Sequence, residues 1–216
     1  MKSKITALFF TALAVFILMY LGTGCELPQA KKGLLKLNLT DAPANYEEVF
    51  ITFNQISVHY EVGIDNATDN ATDNSTDNDT DTGTDNATGK EGWIVISNEE
   101  QGFDLLQLQE GKVDLLAQAS LDAGKYTQIR LKITDATDNN SEPKTYVKVD
   151  GVKYPLVVPS GTKSGLKLTH PFTITGDNET VLYLDFDATK SVNQTGSGKY
   201  NLKPTIKVLT EPPKGK

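Results

Sequence analysis

The chain reads as all-β: an antiparallel sandwich of immunoglobulin- or prealbumin-like Greek-key type. Three observations carry that reading. Apolar residues recur at every second position in segment after segment, the period of a half-buried strand. Turn residues punctuate these segments at roughly 8–12-residue spacing, with no βαβ rhythm. Asp150-Gly151 stands between two alternating runs, Tyr146 to Val149 and Val152 to Val158, where both residues tolerate the positive φ of a type I′ hairpin.

Each element follows from its pattern. Leu35, Leu37 and Leu39 share one face of a first strand. Val49, Ile51 and Phe53 alternate in a second; the phase slips at Asn54-Gln55 and resumes through Ile56, Val58, Tyr60 and Val62, which predicts a β-bulge. His59 then falls on the polar face. WIVIS (Trp93 to Ser97) and a short FDLLQL come next. VDLLAQASL, Val113 to Leu121, is expected to form a short helix or turn. Ile129, Leu131 and Ile133 mark another strand, and the Asp150-Gly151 hairpin follows. LKLTHPFTI, TVLYLDFD and YNLKPTIKVL complete a count of about nine strands.

The first residues are an address rather than a fold element. Lys2 and Lys4 precede an uncharged apolar run, Ile5 to Leu21, as in a secretory signal. Gly22-Thr23-Gly24-Cys25 resembles the lipobox of prokaryotic lipoproteins, with Gly22 at the place usually held by Leu. The resemblance implies cleavage before Cys25 and a diacylglyceryl group on its thiol, hence an extracytoplasmic protein anchored to the membrane. Cys25 is the only cysteine, so no intramolecular disulfide forms. The expected organisation is a signal peptide over 1–24, a lipidated tether over 25–33, one domain over 34–210 with an insertion at 64–90, and a tail over 211–216.

Charge narrows the partners. Removing Lys2 and Lys4 with the signal takes the formal net charge from −7 to −9. Seven of the acids lie between Asp65 and Asp85, so the rest of the mature chain is close to neutral. Arg130 is the sole arginine and no basic cluster interleaves with aromatics, which argues against nucleic acid.

The tract NATDNATDNSTDNDTDTGTDNATG, Asn66 to Gly89, contains no apolar residue larger than Ala and is expected to be a disordered, solvated loop. Asn66, Asn70, Asn74 and Asn86 open N-x-Thr sequons, and Asn78 opens a poorer one followed by Asp79. A calcium loop is the weaker reading. Asp77-x-Asp79-x-Asp81 begins like an EF-hand, but its Gly comes at the seventh place and Thr88 stands where the bidentate Glu belongs.

Two other constellations carry chemistry. Asp185 and Asp187 in LDFDA leave one face of a strand, and Asp41 in LTDAP joins them if the two strands are neighbours. Such a trio would suit calcium, the only cofactor the sequence brings to mind. The plainer reading has these acids capping the turn Ala188-Thr189-Lys190, with Lys190 as ion partner. Ser160 and Ser164 in PSGTKSG, with His170, lack a G-x-S-x-G elbow, and no hydrolase is expected.

The ordered segments LTDAPANYEEVFITFNQISVH, LDAGKYTQIRLKI, VPSGTKSGLKL, LYLDFDATKSV and YNLKPTIKV together resemble a domain of unknown function common in bacterial and archaeal surface lipoproteins. The resemblance spans roughly Lys32 to Leu209 without the tract. It implies a secreted β-sandwich and assigns no catalytic or binding residue. Within it, Leu121 to Tyr126 (LDAGKY) is similar to the turn-plus-Tyr feature of prealbumin-like modules. The expected function is a non-catalytic surface module that binds a protein or glycan or serves a structural role. The alternatives are a calcium-dependent carbohydrate-binding domain and, less favoured, a serine hydrolase.

Overall fold

A computed structural model describes residues 31–61, 92–134, 142–158 and 164–214. The leader with Cys25, the tract with its sequons, and Ser160 lie outside the described residues. Those described belong to one compact unit, Lys31–Lys216.

Two mixed sheets pack face to face as a β-sandwich. The smaller takes strands from the beginning, middle and end of the chain: β1 (Lys32–Asp41), β5 (Asp114–Asp122), β10 (Glu179–Phe186) and β13 (Ile206–Leu209), in the order β13-β10-β1-β5. The larger is built around β2 (Glu48–Glu61). Its path also uses β6 (Gly124–Ile133), β7 (Tyr146–Val149), β8 (Val152–Val157), β9 (Leu166–Ile174), β11 (Val192–Gln194) and β12 (Tyr200–Leu202). That path runs β11-β12-β8-β7-β2-β6-β9, while β3 (Gly92–Ser97) and β4 (Gln101–Asp104) pair with β2 as well. A 3-10 turn follows β4 at Leu105–Leu108, and a single α-helical turn, α1 (Ala188–Ser191), follows β10.

Alternation does what its period requires. Leu35, Leu37 and Leu39 are fully buried, as are Val49, Ile51, Ile129 and Leu131 from the other sheet. Leu182, Leu184 and Phe186 of β10 join the same core. Each such side chain contributes on the order of 1.5–3 kcal/mol by leaving water. The bulge expected at Asn54-Gln55 is present: the register of β2 against β6 shifts between Phe53 and Gln55. The hairpin is present too. Val149 faces Val152, with Asp150 at φ 50° and Gly151 at φ 76°, the left-handed pair a type I′ turn needs. The Tyr126 hydroxyl donates to the Asp122 carbonyl at 2.9 Å, a tyrosine corner of the kind the LDAGKY stretch suggests.

Three expectations change. Val113 to Leu121 is not a helix or turn; it is largely β5, antiparallel to β1. A register shift between Leu37 and Asn38 accommodates an extra residue on β5, so consecutive Leu116 and Ala117 are both buried and the alternation is spoiled. Pairing is not antiparallel throughout, since β1 runs parallel to β10 and β12 parallel to β8. The first strand begins at Lys32, inside the stretch 25–33 read as tether.

Candidate functional site

The parallel pairing of β1 and β10 sets Thr40 opposite Asp185 and Asp41 opposite Phe186. Asp41, Asp185 and Asp187, distant in sequence, therefore meet at one end of the smaller sheet. They line a crevice of about 370 Å³ together with Lys190, Thr205 and Lys207.

Each carboxylate has its own occupation. Asp41 is only 4% exposed, and its Oδ1 accepts the backbone N–H of Ala188 at 3.0 Å. Its Oδ2 accepts from the Gln109 amide at 3.4 Å. Burial pushes the Asp41 carboxyl up to about 7; the bonds from Ala188 and Gln109 pull against that, and the charges of Asp185 and Asp187 add to it. Asp187 is the N-cap of α1, accepting the Lys190 N–H at 3.0 Å and pairing with the Lys190 ammonium. Burial works against the charged form of Asp187, but both Lys190 bonds outweigh it and hold the carboxyl below its ordinary range. The Lys190 ammonium is raised in return, chiefly by its bond to Asp187. Asp185 faces Lys207 across the β10–β13 register. Burial raises its pKa, the Lys207 charge opposes that, and the charge of Asp187 adds to it.

The reading of these acids as caps for Ala188-Thr189-Lys190 thus describes two of the three. Ser191 completes the knot: its hydroxyl donates to the Asp187 carbonyl at 2.6 Å and accepts the Thr205 N–H at 2.9 Å. Among the described residues no three His, Cys, Asp or Glu side chains gather closely enough to hold a metal ion. Chemically the crevice can hold and exchange a proton at Asp41 near neutrality and offers ammonium groups at its mouth. Gln109, Thr205 and Lys207 could not be foreseen, because nothing local marks them: Lys207 comes in by the β10–β13 register, Gln109 from the end of the 3-10 turn and Thr205 from the connection between β12 and β13. His170 is on β9 and lines a separate hollow with Val208, Leu209 and Glu211.

A mixed two-sheet sandwich whose clustered acids tie strand ends together is the class these features define. The chain belongs to the family described as Domain of unknown function (DUF4382), whose pattern matches residues 32–204. That span starts at the first residue of β1 and ends just beyond β12, taking in Asp41, Asp185 and Asp187. No curated protein and no solved structure matches the chain.

Proposed function

We propose that this protein is a membrane-tethered, extracytoplasmic module, held by a lipid on Cys25, that acts by binding or as a structural element and not by catalysis. The observation that supports it best is the occupation of the crevice. Asp41 and Asp187, the groups most suited to acid-base or metal work, are committed to backbone N–H groups of α1. The lysine-flanked apolar run ending in Gly22-Thr23-Gly24-Cys25 supports the tether. Metabolic labelling with a palmitate analogue tests it. The wild-type chain should take up label and fractionate with membranes, and Cys25→Ser should abolish both. An unlabelled wild-type chain that retains residues 1–24 would overturn the lipid anchor.

A calcium-dependent carbohydrate-binding domain is the second reading, favoured by the meeting of Asp41, Asp185 and Asp187 in one crevice. If calcium binds there, adding it raises the melting temperature by mass action, and the double change Asp185→Asn with Asp187→Asn erases the rise. Because Asp187 already pairs with Lys190, the expected result is no response to calcium.

A further inference from the structure

The outer face of the larger sheet carries a grid of side chains set by register. Across β3, β2, β6 and β9, one row reads Trp93, His59, Gln128, Thr169, and the next reads Val95, Ser57, Arg130, Lys167. With strands about 4.8 Å apart, each row spans about 14 Å. Arg130, the only arginine in the chain, places its guanidinium 3.9 Å from the centre of the Trp93 ring. The Lys167 ammonium lies 5.9 Å from the same ring, and His59 meets it edge-on at 5.0 Å. Gly165, at φ 74°, leaves room for this arrangement, since a Cβ there would come within 2.9 Å of the Arg130 Cγ.

Two cations thus converge on one indole, and no carboxylate among the described residues pairs with either. Among the described residues the Arg130 Nε is buried without an acceptor. Several lysines elsewhere do have a carboxylate partner: Lys36 meets Glu179 at 2.7 Å, Lys125 meets Glu61 at 2.7 Å, and Lys153 meets Glu142 at 3.0 Å. Like charges brought together without a counter-charge repel, and an anion arriving from outside relieves that repulsion.

We propose that this face binds an anionic glycan, with an acidic group of the sugar held between Arg130 and Lys167. The proposal rests on the surface-module reading and names its ligand class. Outward guanidinium N–H groups of Arg130 donate to the acid, and the Lys167 ammonium supplies the second charge. Trp93 holds the Arg130 guanidinium in place from one side, while Gln128 and Thr169 offer amide and hydroxyl partners to sugar hydroxyls. A flat, hydroxyl-rich face suits a glycan better than an acidic peptide. Within this grid, strand addition by a peptide is open at the outer strands β3 and β9, whereas Arg130 stands on β6, which is paired on both sides.

The test is titration of the full chain in detergent with polygalacturonate, with dextran as the neutral polymer and polyglutamate as the peptide polyanion. The expected result is salt-sensitive binding of polygalacturonate, with neither control bound comparably. Arg130→Gln and Lys167→Gln should each weaken it roughly tenfold or more, the weight of one charge-assisted contact. Lys153→Gln should leave it unchanged. Lys167 is exposed and makes no ion pair among the described residues, so its variant reports even if Arg130→Gln disturbs the sheet. Equal or tighter binding of polyglutamate would overturn the glycan assignment in favour of an acidic protein partner. No polygalacturonate binding, or wild-type affinity in both variants, would overturn the site. Loss of this binding with intact acyl labelling removes the glycan site alone; missing label with intact binding removes the tether alone.

Discussion

The crevice at the end of β1 and β10 and the outer face of β3, β2, β6 and β9 treat charge in opposite ways. In the crevice, three acids, two of them anchored to backbone donors, share a space with Lys190 and Lys207. On the outer face, Arg130 and Lys167 approach the same tryptophan, and no acid among the described residues pairs with either. A fold can use a charge for itself or leave it for something else. The first kind is recognised by its hydrogen bonds, the second by their absence. Clustering alone does not tell the two apart, and here the acidic cluster is the one already in use.

The sharpest way to break this contrast is to remove one charge from each region and compare stability. Asp41→Ala deprives the Ala188 N–H and the Gln109 amide of their acceptor in a buried place and should cost about 1–3 kcal/mol in denaturant unfolding. Arg130→Gln and Lys167→Gln should leave the unfolding midpoint nearly where it was. Asp41 also carries a pH signature. Its carboxyl titrates near 7 in the folded chain and near 3.8 when unfolded, so between these values the native state holds the extra proton. This stabilising contribution is complete below about 3.8 and is lost as pH rises through about 7. The melting temperature should fall across that window, and Asp41→Asn should flatten the fall. A profile unchanged by Asp41→Asn would show that the acid is not held as described.

A smaller effect gauges one satisfied polar contact on the larger sheet. Tyr126→Phe removes the bond to the Asp122 carbonyl while keeping the ring stacked on Phe172, and should cost about 1 kcal/mol by thermal or denaturant unfolding. The smallest effect is expected from replacing Asn66 to Gly89 with a short Gly/Ser bridge. Tyr60 pairs with Gly92, so β2 and β3 meet whatever joins them. Each halving of loop length changes closure entropy by only about 0.6 kcal/mol, so the deletion should be neutral to slightly stabilising. A clear drop in melting temperature would mean that the tract organises the domain.

Local features were legible in the sequence and distant ones were not. The leucines of β1, the bulge near Asn54 and the Asp150-Gly151 turn depend on residues within a few positions of one another. β5 escaped because its bulge places Leu116 and Ala117 side by side in the core and leaves Leu115 exposed. β11 is too short to show a period, and YNLKPTIKVL, read as one strand, is divided between β12 and β13. The acidic trio was visible as residue types, but its meeting depends on β1 lying beside β10, which no local pattern encodes. The Trp93–Arg130 grid had a signal that a single strand could not reveal. His59, Arg130 and Lys167 all fall out of phase with the apolar positions of their strands, and only the register across four strands brings them together.

The parallel seam between β1 and β10 also sets an order of assembly. Leu37 of β1 pairs with Leu182, and its other neighbour is Ala117 on β5. Both partners are made long after β1 has left the ribosome, and contacts that join distant parts of a chain form slowly. The first strand therefore waits longest between its own synthesis and that of its last neighbour. The growing chain must carry Leu35, Leu37 and Leu39 unsheltered until β10 has been made. A chain that stops before Glu179 leaves β1 with unpaired N–H and C=O groups along one side, an invitation to associate with other chains.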